Sequence, residues 1–306
     1  MRLLNQWHEG TALIRERFPD LEVVEVPVEG DVDPSLVGDA LLAMPGRRET
    51  TAELARRVRW VHNFGTGMDG AVEELFSVPL LTCSRGAGAV PISEFALAAM
   101  LAFEKHLPEV WLNEPPERWY RADLGGLAGR TVGLVGIGGI GEALARRVLA
   151  FDAEVIAVRR RELASPLAEV HIVRSLAELL PACDHLVVAA PLTPRTRHLL
   201  DADAFALVRP GVHLVNIARG GLVDQEALRV ALDDGRVAMA TLDAVEPEPL
   251  PAGHWLYSHP RVRLSAHVSW SSEEGTRRIL ELFIDNLGRY LAGEPLEGVV
   301  DPVERY

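Results

Sequence analysis

The residues from Thr131 to Arg161 read TVGLVGIGGIGEALARRVLAFDAEVIAVRRR, and their reading decides the fold. Thr131 to Val135 is an apolar, strand-like run that turns sharply through Gly136-Ile137-Gly138-Gly139-Ile140-Gly141. Glu142 to Phe151 carries apolar residues at helical spacing, and Glu154 to Val158 is a second strand. Strand, glycine turn, helix and strand make half of a dinucleotide-binding unit. The first glycine permits the tight turn, the second lets backbone approach a pyrophosphate, and the third lets helix and strand pack closely. The exposed amides of the new helix, from Gly138 through Gly139, Ile140 and Gly141, then hold phosphate with the help of the helix dipole. The bland alternative is a glycine-rich turn in an ordinary α/β unit, since the chain has 26 glycines from which a GxGxxG could arise by chance. The legible strand and helix on either side favour a nucleotide site.

The end of the second strand says which dinucleotide. An NAD site usually carries Asp or Glu about 20 residues past the motif, to accept hydrogen bonds from the adenine ribose. Here stand Arg159, Arg160 and Arg161. Guanidiniums cannot accept a hydrogen bond, but they grip a phosphate through bidentate, charge-assisted contacts. The cluster therefore reads as a 2′-phosphate pocket and favours NADP(H) over NAD(H). Its competitor is a solvated basic cluster.

Composition bounds the rest. A chain of 306 residues accommodates two domains of about 150 residues each. Its 48% hydrophobic and 25% charged content describe a globular protein, and a net charge of -13 argues against nucleic acid or an anionic membrane as partner. The two cysteines, Cys83 and Cys183, lie far apart in apolar contexts. They read as buried thiols of a reducing cytosol, and no Cys/His spacing suggests a metal. With no long uncharged apolar run and no leader-like start, the expected location is the cytoplasm.

Outside the glycine turn, strand and helix alternate. Met1 to Asn5 reads as a very short first strand, as if the first domain were trimmed or the start late. Leu21 to Val26, Ala40 to Met44, Val58 to Phe64 and Leu80 to Cys83 are further strands, with helices at Thr11 to Phe18 and Thr51 to Arg57. Ile92 to His106 is apolar nearly all round, as a buried helix is. A connector from Leu107 to Gly129 bears Trp111, Trp119 and Tyr120, suited to packing on another subunit or on its own domain. Later strands end at Pro191, Arg219, Asp243 and His267, and in open α/β sheets ligands bind beyond such carboxyl ends. The expected fold is α/β, with two Rossmann-like domains of parallel sheets covered by helices on both faces. Residues 1–91 with 275–306 form the substrate-binding, flavodoxin-like domain, and 92–274 the dinucleotide-binding domain.

GIGGIG is followed in order by PLTPRTRHLL from Pro191, NIARGGLVD from Asn216, LDAVEPEPLP from Leu242 and SAHVSW from Ser265. Together these motifs resemble the D-isomer-specific 2-hydroxyacid dehydrogenase family, especially its glyoxylate/hydroxypyruvate reductases. The likeness is close from about Gly129 to Thr276 and looser earlier, through FGTGMDG and PISEFALAAMLA. It implies an active site in the cleft between two domains, hydride transfer with NAD(P) and a homodimer. By that resemblance Arg219 is the catalytic arginine, His267 the acid/base and Glu248 its partner. The chemistry suits them. An arginine fork binds a 2-keto acid's carboxylate and polarises its carbonyl, and a carboxylate beside an imidazole favours the protonated, donating form. Taken singly, Arg219 reads as a solvated turn residue and His267 as a structural histidine. Glu246 rivals Glu248, and both could belong to an exposed acidic loop.

The resemblance also puts Asp243 at the nicotinamide carboxamide, Pro191 and Ala218 along the ring, and Thr196 by the phosphates. Gly65, Thr66 and Gly67 match the loop whose amides bind the substrate carboxylate; the alternative is a plain turn. Trp270 shapes the pocket or caps the crevice. Ile217-Ala218 stand where Thr-Ser is common, and Gly88 to Val90 where a polar residue is often found. Glu248 and Thr66 argue against the formate and phosphite dehydrogenases of the family. The expected reaction is NADPH-dependent reduction of a small 2-keto acid. The alternatives are NAD-linked oxidation of a D-2-hydroxy acid or phosphoglycerate, and a dinucleotide-sensing, corepressor-like scaffold.

Overall fold

The computed structural model describes residues 1–46, 48–160 and 164–305. The chain forms two compact units, Met1–Gly88 with Ser272–Tyr306, and Ala89–Ser271.

The first unit is built on β1 (Arg2–Asn5), α1 (Thr11–Arg17), β2 (Glu22–Glu25), β3 (Ala40–Ala43), α2 (Glu49–Ala55), β4 (Trp60–Asn63) and β5 (Leu80–Cys83). The strands are all parallel, in the order β2-β1-β3-β4-β5, the flavodoxin-like arrangement. Short as it is, β1 is not the vestige that its length suggests. It pairs with β2 through Arg2↔Glu22 to Asn5↔Glu25 and with β3 through Leu3↔Ala40 to Asn5↔Leu42, so it lies inside the sheet.

The second unit opens with α3 (Ala89–Glu104) and continues through β6 (Thr131–Val135), α4 (Gly139–Leu149), β7 (Glu154–Val158), β8 (His171–Val173), α5 (Leu176–Leu179), β9 (His185–Val188), α6 (Ala202–Leu207), β10 (Val212–Asn216), α7 (Gln225–Asp233), β11 (Val237–Leu242) and β12 (Val262–Leu264). Its sheet runs β12-β11-β10-β9-β6-β7-β8, all parallel. Central strands of such a sheet are covered on both faces, which is why β9 and β10 are buried at every residue and why Leu and Val dominate them, with the buried polar His185, His213 and Asn216 each hydrogen-bonded. The chain winds outward from β6 to β8, then returns to β9 and winds the other way. That reversal, between β6 and β9, opens a crevice at the strands' carboxyl ends.

The last helix, α8 (Glu273–Ala292), belongs to the first unit. Ser272 caps its start by accepting from Gly275 N, and Gly293 ends it in the left-handed region at φ 71°. Its Ile279, Leu280, Phe283, Ile284 and Leu287 complete the core that Leu3, Ile14, Leu42 and Trp60 begin.

Candidate active site

The glycine turn lies at the reversal point of the second sheet. Gly136 has φ 97°, and a side-chain carbon there would sit 3.0 Å from Ala189 O and from the backbone of Ala190, just past β9. A Cβ on Gly141 would come within 2.5 Å of Gly136 O, so helix and turn touch backbone to backbone. Gly138 differs: a Cβ there would meet nothing within 4 Å. Two glycines are thus demanded by the protein itself, and the middle one leaves open space beside the first turn of α4. The first-turn amides at Gly139, Ile140 and Gly141 have no acceptor within the helix. A pyrophosphate fits this cradle.

At the end of β7, Arg159 is half-buried and donates through Nη1 to Ala164 O at 3.1 Å, while Arg160 is exposed. Arg161 lies outside the described residues. No carboxylate occupies the three positions after Val158.

Three further loops leave neighbouring strands. After β10 comes the turn with Arg219, half-buried, whose Nη1 donates to Ala218 O at 2.8 Å. Gly220 follows, where a Cβ would lie 1.9 Å from the carbonyl carbon of Val245. Glycine is required because the loop after β11 runs directly against this turn. That loop carries both acidic candidates, and the structure separates them. Glu246 forms a two-pronged pair with Arg197, at 2.8 and 3.0 Å. Glu248 accepts from Val245 N at 3.0 Å through one oxygen and meets His267 Nδ1 at 2.8 Å through the other. Burial pushes the Glu248 carboxyl upward, but the bonds from His267 and Val245, with Arg219 nearby, hold it below its ordinary range. It is therefore an anion, and it orients the imidazole with Nε2 left for other work.

His267 sits in the left-handed region at φ 55°, uncommon for a residue with a side chain. Its surroundings hold it there. His267 N donates to Asp243 O at 2.9 Å, and Trp270 Nε1 donates to His267 O at 3.0 Å. The Asp243 side chain accepts from Ser265 Oγ at 2.6 Å and from the amides of Val268 and Ser269 at 2.9 Å each. Burial would raise the Asp243 carboxyl, yet these donors keep it lowered, so a buried anion pins the histidine loop. Thr196 is tied into its own loop, its Oγ1 donating to Pro191 O at 2.8 Å and accepting from Thr193 N at 2.8 Å. Ala218 is buried at the head of the arginine turn.

In the first unit the Gly65–Gly67 loop follows β4. Gly65 O accepts from Ser84 N at 3.2 Å and Asn63 Nδ2 at 3.0 Å, and Gly67 O accepts from the same amide at 3.4 Å. Thr66 Oγ1 donates to Ser84 O at 2.9 Å. With its carbonyls turned inward, the loop has N–H groups at Gly65, Thr66, Gly67 and Met68 that bond to no protein acceptor among the described residues. A run of such amides is an anion-binding concavity.

A family model described as "D-isomer specific 2-hydroxyacid dehydrogenase, NAD binding domain" matches residues 97–269, more than half of the chain. The chain belongs to this family. A crystal structure of a D-isomer specific 2-hydroxyacid dehydrogenase from Xanthobacter autotrophicus Py2, in complex with NADPH and MES, superposes with a TM-score of 0.84 at 26% identity, covering 100% of this chain and 99% of that one. An NADPH-dependent glyoxylate/hydroxypyruvate reductase of Sinorhizobium meliloti, in complex with NADP and malonate, has a TM-score of 0.79 at 28% identity, over 99% of this chain and 98% of that one. Among curated relatives, a hydroxypyruvate reductase of Thermotoga maritima is 29% identical over 89% of this chain and 91% of its own length. A D-3-phosphoglycerate dehydrogenase of Methanocaldococcus jannaschii is 28% identical over 96% of this chain, which spans 58% of that relative's length.

Within this dehydrogenase frame the second unit brings Glu248 and His267 into contact and leaves Glu246 with Arg197. Residue patterns did not reveal the clamp on the histidine loop. Only Ser265 and Ser269 around His267 hinted that a buried acceptor stood nearby.

Proposed function

We propose that this chain reduces a small 2-keto acid of the glyoxylate or hydroxypyruvate type to the D-2-hydroxy acid, with NADPH preferred. The observation that carries the reading is the 2.8 Å bond between His267 Nδ1 and Glu248, on a loop packed against the arginine turn. When bound, the reduced nicotinamide supplies the hydride. Arg219 pairs with the substrate's carboxylate and draws electron density toward the keto oxygen. His267 donates its Nε2 proton to that oxygen as charge develops, and Glu248 balances the imidazolium and fixes which nitrogen faces out. Within the first unit, the amides of Gly65 to Met68 form a concavity suited to a carboxylate, and in the second Trp270, its N–H already bonded to His267 O, offers the face of its ring. Pro191, Ala218 and Asp243 belong to the nicotinamide side and Thr196 to the phosphate side.

The preference for NADPH rests on Arg159, Arg160 and Arg161 in place of an acidic residue. A cytosolic homodimer completes the reading. The connector's Trp111, Trp119 and Tyr120 are exposed, as a face between copies would be in the separate chain. A rival with some support is NAD-linked oxidation of a phosphorylated hydroxy acid, because several relatives are named D-3-phosphoglycerate dehydrogenase.

The test is to follow reduced-nicotinamide absorbance with glyoxylate and hydroxypyruvate, comparing NADPH with NADH. Turnover with NADPH favoured by about tenfold or more is expected from charge-assisted phosphate contacts. Preference for NADH removes the arginine argument and keeps the reaction. Tight dinucleotide binding without turnover across a panel of 2-keto acids overturns the reductase and leaves the sensing scaffold.

A further inference from the structure

The reaction needs Arg219, Glu248 and His267, but a fourth side chain connects the loops that carry the first two. Asn216, the last residue of β10, is 1% exposed. Its Nδ2 donates to Arg219 O at 3.0 Å and to Ala244 O at 3.1 Å, and its Oδ1 accepts from Ala218 N at 3.1 Å. Its backbone oxygen accepts from Asp243 N at 2.9 Å. One buried amide thus closes the turn on which Arg219 stands and fastens the start of the loop that leads to Glu248. The two loops otherwise meet backbone against backbone, at Gly220 and Val245. Among short side chains, asparagine alone offers two donors and an acceptor from one planar group. An ionised aspartate would keep one oxygen on Ala218 N and set the other against the two carbonyls of Arg219 and Ala244.

We infer that Asn216 is a positioning residue for the keto-acid reduction, setting the guanidinium of Arg219 relative to the Glu248–His267 pair. It acts through the backbone of both loops and not by touching the reacting atoms. This inference rests on the reductase reading above.

The decisive variant is Asn216→Asp, assayed with NADPH and [4-²H]NADPH on whichever 2-keto acid the wild-type protein reduces best. Displacements of about 1 Å cost on the order of 100-fold, so kcat/KM for the keto acid should fall by about that factor. The dinucleotide Kd should rise by far less than kcat/KM falls, because Asn216 bonds to Ala218 and Asp243 on the nicotinamide side and not to the glycine turn that holds the phosphates. The deuterium isotope effect on kcat/KM should rise as hydride transfer becomes more limiting. A role confined to folding would lower the active fraction and leave the isotope effect and KM at wild-type values. That outcome overturns the inference. If Asn216→Asp does not yield folded protein, Asn216→Ser, which keeps one donor and leaves room for water, should show the same pattern at roughly tenfold. A wild-type protein that binds dinucleotide but reduces no 2-keto acid overturns the underlying reading and this inference with it. Wild-type turnover with an unchanged variant overturns the inference alone.

Discussion

Acidification should weaken the first unit through one histidine. His62 on β4 is fully buried, with Nδ1 2.8 Å from Thr82 Oγ1, Nε2 3.1 Å from Ser84 Oγ and the Phe283 ring 5.2 Å away. Burial pushes its imidazole down from 6.5 to about 3. Between those values the unfolded chain binds a proton that the folded chain refuses, so stability falls as pH falls. Each pH unit in that window is worth about 1.4 kcal/mol, and the 1.5 units from 6.5 to about pH 5 therefore remove about 2 kcal/mol. That is roughly a thirtyfold rise in the unfolded-to-folded ratio. Urea unfolding of wild type and His62→Gln at about pH 7.5 and about pH 5 measures it. Glutamine keeps a donor and an acceptor but cannot titrate, so the variant should be less stable near neutrality and lose about 2 kcal/mol less on acidification. Other groups, including His213, which burial also holds well below its ordinary range, subtract out of the comparison. Equal acid losses in the two proteins would refute the reasoning.

Two further changes probe the site. Glu248→Gln removes the anion that orients and balances His267; kcat/KM for the keto acid should fall by about 100-fold, as steady-state rates would show. Gly220→Ala would drive a methyl into the Val245 carbonyl, at 1.9 Å, so the arginine turn and the acidic loop must separate. Overpacking of this kind costs about 1–3 kcal/mol, which calorimetry would detect, alongside a large loss of turnover with dinucleotide binding retained.

What could be read from residues alone follows the physics of each element. Thr131–Val135 and Glu154–Val158 were legible because a short apolar run bounded by glycines and polar turns has the length and composition of a buried strand. The short strand His171–Val173 was not, because it is a three-residue edge strand with one exposed and two half-buried residues and has no alternation to detect. Helices Leu176–Leu179 and Ala202–Leu207 span barely a turn or two, too little for a periodic signal. At the site, motif order pointed to Glu248, while the reason that Glu246 is not the partner lies 49 residues away in Arg197. The work of Asn216 and Asp243 was hidden for a related cause. A polar residue at the end of a strand looks the same in sequence whether it meets solvent, a ligand or the backbone of its own and a neighbouring loop.

The return of α8 to the first unit sets an order of assembly on the ribosome. The strands of that unit are all made by Cys83, yet the face carrying Leu3, Leu42 and Trp60 is only partly covered, by Ile14 of α1, until Phe283 and Leu287 emerge. The second unit, contained wholly in Ala89–Ser271, can close its core first. For the time taken to make it, the nascent chain carries a half-covered apolar sheet face, the kind of surface that chaperones hold. Substitutions that weaken α8 packing should therefore reduce yield in cells more than they reduce the stability of protein already folded.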